Sequence, residues 1–574
     1  MEDWPYTLKI LKSKEKELLF SEFTVEEIDF VIKNLVKNIA PGGDGVTYSI
    51  KFYWKIIKED FVKALNHFLN LGSIDCNWKD TLVIFIPKVS NPLLPTNYRP
   101  ISLCNSVYKV VAKIILNRLT LIIPLLISKE QAAFIRGRSI SGHILIAQEM
   151  FHKFRYSKAA KGMVSFKADM KQAYDSMSWK TLKQVLNYFD FPDMISKLIL
   201  ECVLNPRFFI IINGKLSRWI NAESRFRQGC PLSPILFILC SQLLTNAFSH
   251  SSTRIGLCSK SPSISNLLFA DDVMVFSEAS RKVVYEVKSI LSDFGLWTGQ
   301  SINERNLPFP LGVIMVTSDY YFIIEKALRL LNTWGTKYLS LAGKIILIKI
   351  VILAIPNYYS SHSLVQAKVL KEINKIYRGF IWKKSSGNPG LHYLSWENLC
   401  KPLKEGGCGL FSSTRSVAPL RTRLSWRFLN NKDSLLHRTL APKYGTRFGK
   451  SEIKKFSSSW KILCNGGKVL DPFIRWKVAN GDSINVFKDK WILDRSNNEW
   501  PTFVVPQGDG ELFLNNFIED GIWNEDKLKK IFGKELVDLI LKIKIYPNQD
   551  KDDRELIYQD SGRSIPGMIS GLQH

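Results

Sequence analysis

The chain has 574 residues, enough for three or four domains at roughly 150 residues each, so core size is not limiting. Apolar residues make up 46% and charged residues 23%, ordinary values that exclude a largely disordered chain. Lys and Arg number 79 against 52 Asp and Glu, and the resulting net charge of +27 attracts phosphate polyanions, which makes nucleic acid the first partner to test.

In chain order, Thr24 and Glu27 have capping-box spacing, and Ile28, Val31, Ile32 and Leu35 recur at helical intervals, predicting a helix that ends at PGGDG, 41–45. TLVIFIPK, 81–88, predicts a strand, and NYRPISL, 97–103, follows a Pro-rich loop. Tyr108–Leu119 is periodic enough for a helix. MVSFKADMKQAYD, 163–175, reads as an apolar strand over Met163–Ala168 that delivers Asp169 at its end, with a helix from about Lys171. In FRQGCPLSPILFILC, 226–240, Gly229 permits close backbone approach, and Pro231 and Pro234 can start an almost wholly apolar helix that must lie buried. Gln228 and Gly229 precede that helix, where a backbone and one amide could face a ligand. SNLLFADDVMVF, 265–276, has two apolar runs around Asp271 and Asp272, a two-residue break that suits a tight hairpin with both carboxylates at its tip. SSGNPG, 385–390, and KEGGCG, 404–409, mark boundaries farther on.

The nine cysteines show no C-x-x-C pair or zinc-ligand spacing and read as reduced thiols. The N-terminus lacks a basic start followed by an apolar core, and the greasy stretches Leu119–Ile127 and Ile345–Ile355 are short or interrupted by Pro124 or Lys349. The expectation is a soluble nuclear or cytoplasmic protein without a membrane partner. Residues 311–450 hold 22 Lys and Arg against 6 Asp and Glu, interleaved with Trp334, Tyr338, Tyr358, Tyr359, Tyr377, Trp382 and Trp426. Such a mix can bind phosphates and stack on sugars or bases.

Adjacent carboxylates repel, so on its own the Asp pair reads as a solvated turn. Beside Asp169 it gains force, because a strand-edge aspartate next to an Asp pair on a hairpin can hold two magnesium ions in a polymerase palm. Three carboxylates without histidine or cysteine suit Mg2+ better than zinc, with Mn2+ as the alternative.

KADMKQAYD, RQGCPLSPILF and LLFADDVMVF, in this order, resemble the palm motifs of reverse transcriptases, and the middle one is closest to non-long-terminal-repeat retroelements of the plant long interspersed element type. APGGDG with KFYWKIIKED, FIPK, NYRPISLCNSVYKVVAKIILNRL and EQAAFIRGRSI resemble that family's finger and N-terminal segments, while YLSLAGKIILIKIVILAIPNYY and WENLCKPLKEGGCGL resemble its thumb and post-thumb region. The resemblance implies that Asp169, Asp271 and Asp272 are the catalytic metal ligands and that Tyr174 is an aromatic gate against a ribose 2′-hydroxyl. It implies that Gln228 and Gly229 line the nucleotide pocket and that Lys88 and Arg99 meet the triphosphate. Read from the residues alone, Lys88 and Arg99 also fit a surface ion pair.

The fold class implied is α+β: a right-hand polymerase with fingers, a palm with an antiparallel sheet, a helical thumb and a mostly helical basic C-terminal extension. The domains would be 1–80, an N-terminal helical extension of the fingers; 81–306, fingers and palm; 307–386, a thumb-like region; and 387–574, the C-terminal extension. The function implied is RNA-directed DNA polymerisation with an RNA template, a DNA primer and deoxynucleoside triphosphates. Departures from the family support an alternative, an inactive remnant that at most binds nucleic acid; an intron-maturase-like role in holding a folded RNA is a third. GQSINERN, 299–306, runs directly into LPFPLGV, 307–313, where the family has a few tens of residues between them, and this reads as an internal deletion. The Lys-Ser that the family has after Ile-Asn is replaced by Asn306-Leu307, and Arg225 stands where a glycine is usual. The chain reads as a fragment, beginning near the polymerase without an endonuclease and stopping before any Cys/His cluster or ribonuclease H-like set.

Overall fold

The computed structural model describes residues 4–5, 9–36, 40–46, 49–157, 162–171, 176–302, 320–334, 339–384, 388–446, 448, 456–492, 512–546, 549, 551–557 and 564–572. The chain divides into two compact units, one of residues 1–143 with 153–311 and one of 144–152 with 312–574.

Two sheets organise the first unit. One has strands in the order β2-β1-β4-β5, with β6 also on β4: β1 is Thr81–Pro87, β2 Tyr98–Cys104, β4 Arg207–Ile212, β5 Lys215–Leu216 and β6 Ile220–Asn221. β1 runs antiparallel to β2 and parallel to β4. The other is antiparallel, in the order β11-β3-β10-β9, with β3 at Met163–Lys171, β9 at Asn266–Phe269, β10 at Asp272–Glu278 and β11 at Ser301–Ile302. A short pair, β7 (Ile255–Gly256) with β8 (Ser263–Ile264), stands apart.

Helices bury the apolar faces of this unit. Val25–Lys33 is capped by Thr24, whose side chain accepts the Glu27 N–H while Glu27 reaches back to the Thr24 N–H, and it buries Ile28, Val31 and Ile32. It stops well before PGGDG, at Asn34, whose side-chain amide and backbone N–H both donate to the Phe30 carbonyl, at 2.8 and 3.1 Å. The helix predicted over 108–119 extends over Ser106–Leu126 and continues through Pro124, which falls in its last turn. Ser233–Ser249 is buried along nearly its whole length, as its apolar run requires.

In the second unit, Tyr321–Trp334, Leu341–Leu347, Ala354–His362 and Ala367–Trp382 share a core that includes Ile323, Ile348, Ile352, Ile373 and Tyr377. The Tyr377 hydroxyl is satisfied inside it by the Ile352 carbonyl at 3.1 Å. Val417–Asn430 and Ser458–Leu470 pack closely at Gly466, where a Cβ would come within 2.5 Å of the Arg421 backbone. A further core contains Val478, Ile484, Trp491, Leu514, Leu528 and Ile540. The greasy stretch around 345–355 is longer in the structure than the sequence suggests. A one-turn π segment, Ile348–Ile352, links its flanking helices into the run Leu341–His362, which by length and composition is sufficient to cross a membrane. One side of that run lies in the helical core. Among the described residues no disulfide joins the cysteines.

Candidate active site

The β9–β10 hairpin delivers the aspartate pair, with a different turn from the one the sequence suggests. Asp272 is the first residue of β10, paired with Phe269 of β9 on one side and Asp169 of β3 on the other. The two-residue turn is therefore Ala270-Asp271, and Asp271 alone of the pair occupies it. Ala270 has φ +56°, the sign that a hairpin turn with a positive first central residue demands. A side-chain-bearing residue there costs roughly 1–2 kcal/mol, a penalty that periodicity in the sequence does not reveal. β3 also runs farther than predicted, to Lys171, so Asp169 lies within the strand instead of at its end. The Lys167 ammonium is 3.5 Å from Asp272 Oδ1, with both groups partly in solvent.

A cavity of about 690 Å³ opens beside this turn, and Lys88, Arg99, Gln228 and Asp271 all line it, together with Ser102, Arg225 and Arg227. Lys88 and Arg99 come from the β1–β2 hairpin. The Lys88 backbone donates to the Asn97 carbonyl at 2.7 Å and its ammonium to the Thr96 carbonyl at 3.1 Å. Among the described residues neither Lys88 nor Arg99 makes an ion pair with a carboxylate.

Gln228 and Gly229 are fixed against β2. The Ser102 N–H donates to the Gln228 carbonyl at 2.7 Å, and a Cβ on Gly229, at φ +112°, would lie 2.6 Å from the Ser102 carbonyl oxygen. The close approach predicted for this glycine is therefore to the protein's own strand. Next to it, Arg227 is buried and donates to the Lys79 carbonyl and the Thr81 hydroxyl, both at 3.1 Å, and to the Cys202 carbonyl. Its guanidinium lies 4.0 Å from the Tyr108 ring centroid, and the Tyr108 hydroxyl donates to the Cys202 carbonyl at 2.9 Å. Burial pushes the Tyr108 hydroxyl and Cys202 thiol well above their ordinary ranges, so both stay neutral. Arg227 escaped the sequence reading. Its signal was a single cation heading an apolar run.

Arg225, also in the cavity wall, has φ +88°, and its carbonyl accepts the Trp179 indole N–H at 2.8 Å. Glycine would hold this conformation without strain. Tyr174, the side chain of Asp169 and the junction at Asn306-Leu307 lie outside the described residues. Among the described residues no three His, Cys, Asp or Glu side chains form a metal-sized group.

A tight hairpin bearing carboxylates thus stands beside a cavity lined by Lys88, Arg99, Arg225 and Arg227. Residues 86–306 match the model of the family described as reverse transcriptase (RNA-dependent DNA polymerase). The chain is similar to proteins of transposons and retrotransposable elements. It is 23% identical over 473 residues to the transposon TX1 uncharacterized 149 kDa protein of Xenopus laevis, covering 76% of this chain and 35% of that one. To the Pol polyproteins of type-1 retrotransposable element R2 it is 25% identical in Nasonia vitripennis, over 42% of this chain and 23% of the relative, and 26% identical in Popillia japonica, over 49% and 38%. The chain thus spans about a quarter to two-fifths of the length of these curated relatives.

Proposed function

We propose that this chain is an RNA-directed DNA polymerase of retrotransposon origin, adding deoxynucleotides to a primer 3′-hydroxyl on an RNA template. The observation that carries the reading is the single cavity that gathers Lys88, Arg99, Gln228 and Asp271 from separate stretches of sequence. The register that sets Asp272 opposite Asp169 supports it, since directly opposed residues are the closest neighbours across antiparallel strands.

A reverse transcriptase domain implies a divalent metal ion. Asp169, Asp271 and Asp272 offer carboxylate oxygens with no thiol or imidazole among them, a donor set that fits hard ions such as Mg2+. These three residues would hold two Mg2+ ions, which when bound lower the pKa of the primer hydroxyl and neutralise the leaving pyrophosphate. Arg99 binds the triphosphate as a planar bidentate donor and Lys88 as a point charge. Gln228 presents its amide to the nucleotide, while Gly229 and Ser102 keep the pocket floor rigid. Tyr174 gates against the 2′-hydroxyl and so selects deoxynucleotides. In the right-hand architecture that goes with this reading, 81–306 form fingers and palm, with 1–80 as a helical extension of the fingers. Residues 307–386 form a thumb and 387–574 a C-terminal extension.

Primer extension on an RNA template with Mg2+ tests the proposal. Incorporation that Asp271→Ala abolishes supports it. Binding of primer-template without incorporation in Mg2+ or Mn2+ overturns it in favour of an inactive nucleic-acid-binding remnant.

A further inference from the structure

The carboxylate turn is held from outside by one buried amide. Gln131 lies between the helices Ser106–Leu126 and Ile140–Tyr156 and is 2% exposed. Its Oε1 accepts the Ala270 N–H at 3.1 Å and the Ala133 N–H at 3.0 Å, and its Nε2 donates to the Ala270 carbonyl at a longer 3.4 Å. Both backbone groups of Ala270, the left-handed residue of the turn, therefore meet the same side chain.

The segment that carries Gln131 is itself anchored. The Leu268 N–H donates to the Glu130 carbonyl at 2.7 Å and the Ala132 N–H to the Leu268 carbonyl at 3.0 Å, so 130–132 runs along the β9 edge. Arg138, partly buried, donates to the carbonyls of Gln131 and Ile127 at 2.9 Å, of Pro124 at 3.2 Å, and of Ser128. It thereby ties the loop to the C-terminal end of the helix Ser106–Leu126.

We propose that Gln131 is a positioning residue that locks Ala270 in its left-handed conformation and so fixes Asp271 and Asp272 for cation binding. The metal-binding part rests on the polymerase reading above; the locking of the turn does not. A neutral amide suits the place, because its oxygen accepts from the Ala270 and Ala133 N–H groups while its nitrogen donates to the Ala270 carbonyl. Glutamate would keep the acceptor, lose the donor and add a third negative charge beside the aspartate pair. Leucine would fill the volume and leave both Ala270 groups without this partner.

The test uses the full chain with Gln131→Leu, Ala270→Gly and the double variant, each checked for folding by thermal denaturation. In metal-free protein, hydrogen exchange of the 268–273 peptide should speed up about tenfold in Gln131→Leu, the factor that about 1.4 kcal/mol of lost turn stabilisation gives. Mn2+ binding followed by electron paramagnetic resonance should weaken by about the same factor. Ala270→Gly placed in the Gln131→Leu background should restore Mn2+ affinity to about that of Ala270→Gly alone, because glycine adopts the left-handed conformation freely. A residue that merely filled space would not be rescued by a glycine in another segment. Unchanged exchange and unchanged Mn2+ binding in Gln131→Leu overturn the proposal, as does failure of the glycine rescue. If Gln131→Leu does not fold, Gln131→Met, which also lacks the amide and adds no charge, takes its place in the same comparison. A wild-type chain that binds no Mn2+ counts against the polymerase reading, and the exchange rates then still decide the role of Gln131.

Discussion

At Gly229 two constraints meet in one residue: a backbone at φ +112° and a space that a methyl group would overfill, 2.6 Å from the Ser102 carbonyl. Gly229→Ala should therefore destabilise the chain by about 3 kcal/mol, combining backbone strain with overpacking, and urea denaturation would measure it. A loss under about 1 kcal/mol would mean that β2 and the turn separate easily. Four residues away, Arg225 has φ +88° without being glycine. Arg225→Gly should raise stability by about 1 kcal/mol in the same titration, and a loss instead would show that its side chain holds the turn. The glycine was legible because its residue type announces its backbone. Lys88, Arg99, Gln228 and Asp271 were singled out because ordered motifs carry them, and the structure places all four along one cavity. Gln131 and Arg227 were not, since each acts on backbone groups more than 20 residues away that no local pattern connects to it.

At the scale of elements, apolar periods revealed the helices Val25–Lys33, Ser106–Leu126 and Ser233–Ser249 and the strands β1, β3, β9 and β10, while the ends of those elements depend on groups elsewhere in the chain. The β9–β10 turn shifted by one residue because Ala270, held by Gln131, accepts a left-handed φ. Buried polar groups within the helix Ile140–Tyr156 were equally hidden. His143 donates from Nε2 to the Lys129 carbonyl at 3.3 Å, and burial pulls its pKa from 6.5 down to about 4. Below pH 6.5 the unfolded chain takes up a proton that the folded chain refuses until about pH 4, so stability falls as pH drops through this window. The loss attributable to His143 should reach about 3 kcal/mol at the acid end. Comparing denaturation at several pH values with His143→Gln isolates that share, and parallel curves would refute it. Farther along the same helix, Glu149 is fully buried, with Lys443 Nζ and the Tyr444 hydroxyl each 2.7 Å from its Oε1. Lys443→Met strands that carboxylate and should cost about 3–5 kcal/mol, with Glu149→Gln in the same chain recovering much of it. No recovery in the double variant would mean that the lysine stabilises by packing alone.

For the whole molecule, +27 spreads over too many places to name a binding surface, yet the structure gathers some of those charges into order. On the helix Ala367–Trp382 the apolar residues Val369, Leu370, Ile373, Tyr377 and Phe380 are buried, while Lys368, Lys371 and Lys375 follow one another at helical spacing and stay exposed. Lys375 meets Glu372 only in a loose pair at 3.8 Å. In the acidic stretch 501–574 the lysines Lys527 and Lys529 are instead closely paired, with Glu519 and Glu525 at 2.6 Å, and Lys534 begins a helix nearby. Changing Lys368, Lys371 and Lys375 to Gln removes the same formal charge as changing Lys527, Lys529 and Lys534, so a long-range account based on net charge alone requires equal effects. A duplex gripped by the exposed row requires unequal ones. Each phosphate that the protein no longer neutralises lowers the slope of log K against log salt by about 0.9, so the first triple should flatten it by about 2 to 3 while the second leaves it nearly unchanged. Fluorescence anisotropy with an RNA–DNA duplex over a range of salt concentrations measures both slopes. Equal slopes for the two triples would remove the helix from the binding surface and leave the basic charge as a diffuse attraction.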